Sequence, residues 1–385
     1  MSTAPRKDSN ARRLRAGIVG GGRGAFIGSV HRIAAELDGQ ALVVAGAMSS
    51  DASTARESAA AWRLERSYDS YTAMAREEAA RSDGIDFVII ATPNHLHHPV
   101  ARAFLEAGIH TVCDKPLALT VAEAEDLVTR VEGGKALFAL THNYTGYPLV
   151  RQARAMVREG KIGELRKVLV EYNQDWLMTP LEHSGHKQAE WRADPARAGL
   201  SCCVGDIGTH AENLLEYITG RKITSLCADL SSFVPGRLLD DDANMLLRLE
   251  GGGKGTLVCS QVACGEENNL VIRIYGSTGG LEWHQQEPNT LVFKPAGGPW
   301  QHLRAAQGYL ADAARAATRI PNGHPEGYLE AFAVLYRDFI ADVRRVQRGE
   351  LPERNYPSVR DGLRGVRFIA KAVESSKRGA VWVDL

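Results

Sequence analysis

The sequence predicts an α/β domain with a doubly wound parallel sheet, followed by an α+β domain with a large open, mainly antiparallel sheet. Strands and helices alternate over residues 14–141, an order typical of parallel sheets with crossover helices. Four strand-like segments then follow one another over 223–275, separated by tight turns. The 385-residue length is that of two domains. We place them at 14–142 and 143–385, after a polar tail at 1–13 that we expect to be disordered.

The composition excludes several classes of protein. Lysine plus arginine and aspartate plus glutamate each number 46, so the formal net charge is zero, and nucleic acid or anionic membranes are poor partners. The start of the chain lacks the apolar core of a signal peptide, and no uncharged segment has transmembrane length. The six cysteines include no CxxC pair, which predicts reduced thiols in a cytoplasmic protein and no zinc site.

A glycine-rich turn follows the first predicted strand, 14–20, and precedes a helix that ends near residue 37. Strand, glycine turn and helix form the setting of dinucleotide binding, because glycines let the backbone approach a pyrophosphate. The spacing is irregular, since the third glycine after Gly20 and Gly22 is Gly28, three residues late. The alternative is a purely structural turn. The predicted cofactor contacts in this turn are Gly20, Gly22, Arg23, Ala25, Phe26 and Ile27.

The second predicted strand, 41–48, ends in Ser49, Ser50 and Asp51. In dinucleotide-binding domains an acid near this point binds the adenosine ribose hydroxyls. Asp51 stands two residues late, and an equally good hypothesis is that it caps the helix predicted at 52–62. The turn contains no arginine for a 2′-phosphate, which favours NAD over NADP.

An apolar segment at 85–91 has the composition of a central parallel strand. Polar residues follow it, including three histidines at positions 95–98. These histidines raise the hypothesis of a metal site, but no acidic partner stands at ligand spacing. Contact with the nicotinamide half of a cofactor is the favoured interpretation, through Thr92, Pro93, Asn94 and His97.

A lysine stands at the carboxyl end of the next predicted strand, 109–112, in the sequence Asp114-Lys115-Pro116. Ligands of open α/β sheets collect outside the carboxyl ends of strands. Proline favours an extended backbone at Lys115 and ends the strand, so the lysine head is expected in a cleft. The alternative is an ordinary solvated lysine.

A second group of polar residues surrounds Asp206 and His210, on a helix predicted from residue 207 to 218 and closed by Gly220. Residues four apart on a helix project from one face. A carboxylate there can orient the imidazole, and a histidine of near-neutral pKa can remove a hydroxyl proton. The alternative is an aspartate that caps the helix, followed by an unrelated histidine.

The segment 175–194 combines aromatic rings with hydrogen-bond donors. Sugars present hydroxyls to such donors and C–H faces to tryptophan. The segment therefore predicts a hydroxyl-rich ring as substrate rather than a small hydroxy acid, and the alternative is a surface loop with core-packing tryptophans. The predicted substrate contacts here are Trp176, Lys187, Trp191 and Arg192.

These motifs together resemble the glucose–fructose oxidoreductase / inositol dehydrogenase (Gfo/Idh/MocA) family. That family usually has Glu-Lys-Pro, so Asp114 is a departure, as are Gly28 and Ser49. The resemblance implies an N-terminal Rossmann domain that binds NAD, with NADP as the alternative. It implies a homodimer or homotetramer formed through the C-terminal sheet. It also implies Lys115, Asp206 and His210 as catalytic and substrate-binding residues, Tyr144 as a substrate contact, and Asp114, Lys115, Asn143, Trp191 and Arg192 as cofactor contacts.

The activity expected from this resemblance is NAD(P)-dependent oxidation of a secondary hydroxyl of a sugar, glycoside or cyclitol, or the reverse reduction. Lys115 would stabilise negative charge on the reacting oxygen, His210 would act as general base, and Asp206 would orient His210 or the substrate. Two alternatives share the fold. A glycoside hydrolase would use bound NAD transiently, and a non-catalytic regulator would only sense the dinucleotide, although retention of these three residues argues against the regulator.

Overall fold

The computed structural model describes residues 12–385, and its first sheet has six strands, all parallel, in the order β3-β2-β1-β4-β5-β6. The tail predicted at 1–13 lies, for residues 1–11, outside the described residues. The strands are β1 Leu14–Gly20, β2 Ala41–Ala47, β3 Arg66–Ser67, β4 Phe87–Ala91, β5 His110–Cys113 and β6 Phe138–Leu140. The helices between them are α1 Phe26–Glu36, α2 Ala52–Ala61, α3 Tyr71–Ala80, α4 His97–Glu106 and α5 Val121–Gly133.

The doubly wound architecture predicted from the sequence is confirmed. Strand β4 is buried at all five positions, as expected of a central parallel strand covered on both faces. Helix α5 begins at a capping box in which the Thr120 hydroxyl accepts from Glu123 N at 3.2 Å. Strand β3 was not predicted, because its two residues are too short to show a periodic pattern.

The second sheet has nine strands in the order β14-β13-β12-β11-β7-β10-β9-β8-β15, and only the β7–β10 pair is parallel. The predicted open, mainly antiparallel sheet is therefore confirmed. Its strands are β7 Leu165–Asn173, β8 Ile223–Ser231, β9 Asp242–Leu249, β10 Lys254–Ser260, β11 Asn269–Gly276, β12 Gly279–His284, β13 Thr290–Pro295, β14 Gln301–Arg304 and β15 Val383–Asp384.

The helices of this half are α6 Pro148–Arg158, α7 Lys187–Arg192, α8 Pro195–Ala198, α9 Thr209–Thr219, α10 Asp312–Ala316, α11 Tyr328–Gln347 and α12 Val359–Lys377. Helices α6 and α9 cover one face of the sheet and share its hydrophobic core. The opposite face carries exposed apolar residues, including Leu246 and Trp382. Assembly through this sheet stays a prediction.

The last two helices return to the first domain. Helix α11 packs against α1, and α12 packs against both α5 and β8. The rings of Tyr336 and Phe339 lie 6.4 and 5.6 Å from that of Phe87 in β4. These contacts join the two sheets across a cleft, while the bounds 14–142 and 143–385 stay a prediction. Within residues 12–385, no helix combines the length and the apolar character needed to cross a membrane.

Candidate active site

Two cavities meet in the cleft between the sheets. The first, about 500 Å³, lies at the carboxyl ends of β1, β2 and β4, and the second, about 650 Å³, faces the larger sheet. Both have the size of small-molecule sites, and the cleft lies where open α/β sheets bind ligands. The two cavities share the lining residues Ile27, Asp114, Lys115, Gln188, Arg192 and Asp206.

The irregular glycine turn has a structural explanation. Gly20 and Gly21 adopt φ values of 79° and 69°, a left-handed conformation that favours glycine. A Cβ on Gly28 would lie 2.3 Å from the Cα of Gly21, so the late glycine lets helix α1 cross directly over the turn. Gly28 therefore performs the close helix-to-strand packing expected of the third glycine.

Most of the predicted cofactor residues line the first cavity, while two of the turn lie elsewhere. The Arg23 side chain is 81% exposed beside Glu57, and Phe26 lines the second cavity. The buried hydroxyl of Thr92 has no hydrogen-bond partner within 12–385, so a polar ligand group would fit there. The predicted cofactor residues found in this wall are Gly20, Gly22, Ala25, Ile27, Ser49, Ser50, Thr92, Pro93, Asn94, Asp114, Lys115, Trp191 and Arg192. Lys187 and Trp191, which were predicted as substrate contacts, line this cavity and not the second.

Asp51 caps helix α2 and is not among the cavity-lining residues. Its carboxylate accepts from the backbone N and the hydroxyl of Thr54, at 2.7 and 2.6 Å. These two hydrogen bonds lower the pKa of Asp51. Of the two hypotheses for this acid, the structure shows the helix cap.

His97 lies below the cavity instead of in its wall. Its two ring nitrogens lie 2.6 Å from the carbonyl oxygen of Pro116 and 3.0 Å from that of Thr92, and burial lowers its pKa. A neutral imidazole has one N–H and donates to only one of these carbonyls. We therefore reassign His97 from a cofactor contact to a residue that lies between the segments following β4 and β5. Asn94, its neighbour in the motif, donates to the carbonyl of Ala198 at 3.1 Å and so links the two halves of the chain.

Lys115 and Asp206 form an ion pair where the two cavities meet. The ammonium donates to Oδ1 of Asp206 at 2.7 Å and to its carbonyl oxygen at 2.6 Å. The other carboxylate oxygen accepts from Arg192 Nε at 3.2 Å and from Gln261 Nε2 at 2.9 Å. Burial opposes ionisation of Asp206, but the cations of Arg192 and Lys115 hold its pKa below the usual range. Asp206 is therefore a carboxylate that holds two cations in place.

Asp114 supports Lys115 from below. Its Oδ1 accepts from the backbone N of Lys115 at 2.8 Å and from the Thr141 hydroxyl at 3.0 Å. Burial would raise the pKa of Asp114, but His31, whose Nε2 lies 4.0 Å from Oδ2, and the Lys115 cation lower it below its usual range. Asp114, an aspartate where the resembled family usually has glutamate, thus fixes the segment after β5 that carries Lys115.

His210 lies in the first turn of α9, directly after a π-helical turn over Val204–Gly208. Asp206 was expected to orient His210 or the substrate, and within residues 12–385 it makes no hydrogen bond to the His210 ring. A π turn closes hydrogen bonds between residues five apart, so spacing of four no longer stacks side chains as in an α-helix. Within 12–385 the one hydrogen bond of the ring joins Nδ1 to Nδ1 of His142, 3.5 Å away.

The expected near-neutral pKa of His210 also needs correction. Burial lowers this pKa well below its ordinary value, and the cation of Lys115 and the ring of His142 lower it further. Asp206 and Asp114 act in the opposite direction, with less effect. The imidazole is therefore neutral at neutral pH.

The second cavity is walled by rings and amides that hydrogen-bond one another. The hydroxyls of Tyr144 and Tyr172 lie 2.5 Å apart, and Tyr172 donates to Asn268 at 2.8 Å. Gln174 donates to the same Asn268 oxygen at 2.6 Å and accepts from the indole of Trp176 at 3.0 Å. This wall offers donors, acceptors and flat apolar faces together.

Two buried groups of this region have an unused hydrogen-bonding atom. Among residues 12–385, Nδ2 of Asn143 and Oε1 of Gln285 find no partner, and both residues line the second cavity. Arg192 is fixed at the junction of the two cavities. Its Cζ lies 4.2 Å from the centroid of the Trp191 ring, and its Nη1 donates to Oε1 of Gln188 at 2.7 Å. The described residues contain no group of three or more His, Cys, Asp and Glu suited to a metal ion.

Family models match both halves of the chain. Residues 14–153 match the oxidoreductase family with an NAD-binding Rossmann fold, and residues 150–282 match the GFO/IDH/MocA C-terminal domain. The uncharacterized oxidoreductase YfiI of Bacillus subtilis is 36% identical over 96% of both chains. The chain belongs to the Gfo/Idh/MocA family of oxidoreductases.

Solved structures of this family superpose over nearly the whole chain. An inositol dehydrogenase homolog from Azotobacter vinelandii, complexed with NAD+, is 39% identical with a TM-score of 0.94, covering 97% of this chain and 98% of the other. The same homolog complexed with NADH and myo-inositol is 37% identical with a TM-score of 0.90, and covers 97% of this chain and 98% of the other. Levoglucosan dehydrogenase in complex with NADH and levoglucosan is 26% identical with a TM-score of 0.84, and covers 97% of this chain and 99% of the other. The chain is an NAD(P)-dependent dehydrogenase of the Gfo/Idh/MocA family, and the first cavity fits its cofactor.

Several residues of the Gfo/Idh/MocA cleft escaped the sequence analysis. Gln261 holds Asp206 and directly follows β10, and His142 contacts His210 and follows β6. Position just after a strand was an available indication for both. Gln174 and Gln285 likewise directly follow β7 and β12, and Gln188 lies in the aromatic and polar segment 175–194. Further additions without such an indication include Tyr172, Asn268, Tyr328 and Phe332.

Proposed function

We propose that this dehydrogenase oxidises a secondary hydroxyl of a cyclitol or ring-shaped sugar, or reduces the corresponding ketone. The observation that carries the proposal is the grouping of Lys115, Asp206 and His210 where the cofactor cavity opens into a polar, aromatic cavity of about 650 Å³. Relatives of the same fold are described with myo-inositol or levoglucosan bound. Both molecules are rings rich in hydroxyl groups, which suits the polar and aromatic walls of the second cavity.

Bound NAD supplies the hydride acceptor. Lys115 binds the oxygen from which the proton leaves, because an ammonium has three donors and Asp206 occupies two of them. The third N–H is free to donate to the substrate oxygen and to stabilise its growing negative charge. Asp206 remains ionised and holds the lysine and Arg192 in position throughout.

His210 removes the hydroxyl proton. Its Nδ1 faces His142, and its Nε2 makes no hydrogen bond within residues 12–385. Nε2 is therefore the atom that accepts the proton in the second cavity. Because burial lowers the pKa of His210, the neutral base is present well below pH 7.

The walls of the second cavity bind the remainder of the ring. Gln174, Asn268 and Asn143 provide amide groups, and Trp176 and Tyr144 provide flat faces for the C–H groups of a sugar. A lactate-sized substrate would leave most of these groups without a contact. We therefore expect a strong preference for ring polyols.

The test is a screen of NADH formation, followed by near-ultraviolet absorbance, over cyclitols, free sugars, glycosides and lactate-sized hydroxy acids, with NAD and NADP in parallel. We expect the highest kcat/KM with a cyclitol or pyranose and with NAD. A short hydroxy acid as the best substrate would contradict the proposal. Release of an aglycone without net NADH would support the hydrolase alternative instead.

A further inference from the structure

The imidazole of His210 needs a hydrogen-bond acceptor that the sequence pattern did not reveal. A neutral imidazole carries one N–H, so Nε2 can accept a proton only when the hydrogen is on Nδ1. That Nδ1–H group requires an acceptor to keep the ring in this tautomer. Asp206 is occupied by Lys115, Arg192 and Gln261 and makes no hydrogen bond to the ring within 12–385.

His142 lies where such an acceptor is needed. Its Nδ1 is 3.5 Å from Nδ1 of His210, and the two rings meet edge to face at 86° with centroids 5.3 Å apart. Hydrogen bonds between catalytic groups are often long in structures without substrate and tighten in the complex. The distance is thus suited to a contact that forms fully during the reaction.

The backbone around His142 holds its ring in place. His142 N donates to the carbonyl of Leu140 at the end of β6, at 3.0 Å. Its own carbonyl accepts from the backbone N and the hydroxyl of Thr145, at 3.2 and 2.9 Å. The residue is 2% exposed, so the ring has little freedom to turn away.

We propose that His142 is a positioning residue that fixes the tautomer of His210, with Nδ1–H of His210 donating to Nδ1 of His142. This leaves the lone pair of Nε2 directed at the substrate hydroxyl. The inference rests on the proposed function, in which His210 is the general base. The neutral imidazole of His142 thus has the orienting role that was expected of the Asp206 carboxylate.

The charges around the two rings agree with a neutral acceptor. Lys115, Asp206, Asp114 and His142 face His210, as do the rings of Tyr144 and Tyr172, whose centroids lie 4.9 and 6.3 Å from that of His210. Asp361 of α12, Lys115 and Asp114 face His142. Burial lowers the pKa of His142 to about 4, so this ring is uncharged at neutral pH and accepts through one nitrogen. A neutral acceptor orients His210 without stabilising its protonated form as a carboxylate would, so the base keeps its low pKa.

Three substitutions at His142, to Phe, Asn and Asp, test the assignment. The main measurement is the pH dependence of kcat/KM. His142→Phe keeps an aromatic ring but removes the acceptor, and we expect kcat/KM to fall by about 10- to 100-fold, as for loss of other groups that orient a histidine. His142→Asn places an amide oxygen near the former Nδ1 and should restore most of that loss. His302→Asn, at an exposed histidine of β14, is the control and should match the wild type.

His142→Asp gives the sharpest result. A carboxylate next to an imidazole raises its pKa by about 1–3 units, so the acid limb of the kcat/KM profile should move to higher pH by that amount. Movement of this limb shows that the side chain at position 142 contacts the base, while recovery in the Asn variant but not in the Phe variant shows that this position must supply an acceptor. NAD affinity, measured by calorimetry, should stay unchanged in all three variants and serves as the check on folding.

The outcomes separate this inference from the proposed function. If Phe and Asn variants lose activity equally and the Asp variant leaves the acid limb in place, His142 only packs and the inference is overturned. Wild-type kinetics in all three variants would overturn it as well. If instead His210→Ala keeps its activity, His210 is not the base, and the proposed function fails at that residue. Should His142→Phe fail to fold, the Asn variant decides: kcat/KM near that of the wild type supports the inference, and a large loss overturns it.

Discussion

The cavity under the glycine turn and the cavity around His210 are walled by different parts of the polypeptide. Much of the first wall is backbone and small residues at strand ends, including Gly20 to Gly22 and Ser49 to Ser50. Most of the second is long side chains from β7, α9, α11 and the loops between them. One wall depends on how closely backbone can approach a ligand, and the other depends on charge and hydrogen bonding. Substitutions should therefore separate NAD affinity from kcat.

The largest expected effect is that of His210→Ala, on the substrate side. Removal of a general base typically costs about 10²–10⁴ in rate. We expect kcat to fall by this amount while NAD affinity is retained, which steady-state kinetics and calorimetry measure. His302→Ala is the matched control on the exposed edge of the larger sheet.

The same variant has a pH signature. A base must be neutral, so wild-type kcat/KM falls as the pH drops through the pKa of His210, which burial places below the ordinary value. The rate should thus remain near its plateau at neutral pH and decline only in acid. His210→Ala should lack this decline. An acid limb that persists in the variant would assign it to another group.

Lys115→Met should have the next largest effect. It removes a cation that donates to an oxygen gaining negative charge, and loss of one such donor typically costs about 10²–10³ in kcat. The substitution also leaves Asp206 with one cation fewer, although Arg192 and Gln261 still hold it. Lys377→Met at the exposed end of α12 is the control. A loss confined to KM would show that Lys115 binds substrate without acting on the reaction itself.

Gly28→Val probes the first cavity. Its Cβ would lie 2.3 Å from Gly21 Cα and 2.5 Å from Gly21 O, so helix α1 must move away from the turn. We expect NAD to bind at least about tenfold more weakly, a change of ~1.4 kcal/mol, with a smaller change in kcat at saturating NAD. Gly133→Val is the control, because a Cβ there meets no atom within 4 Å. Unchanged NAD affinity in Gly28→Val would remove the structural account of the late glycine.

The smallest expected effect is that of Asp51→Ala. Because its carboxylate caps α2 through Thr54, the variant should unfold at a slightly lower temperature and bind NAD and NADP as the wild type does. Thr120→Ala removes the cap of α5 and should behave in the same way. Weaker NAD binding in Asp51→Ala alone would restore the ribose contact as the role of this acid.

Local patterns in the sequence were sufficient for the architecture and for the position of the cleft. Alternating strands and helices predicted the parallel sheet, and Gly20, Lys115 and Asn94 each mark the end or near end of a strand where the cavities lie. These predictions succeed because strand ends, turns and helix caps depend on residues within a few positions of one another. The motifs at Asp114 and His210 likewise pointed to residues that the fold brings to one cleft.

Only the tertiary structure decided which side chains pair there. Lys115 and Asp206 meet across 91 residues of sequence, and His142 and His210 across 68. A separation of four residues suggested that Asp206 orients His210. A π turn changes the relative direction of the two side chains, and Asp206 pairs with Lys115 instead. The sequence left open whether Asp51 binds ribose or caps a helix. In the structure its carboxylate accepts from Thr54 and caps α2. Such pairings depend on how α9, β6 and the end of β5 pack against one another, and no local pattern encodes that arrangement.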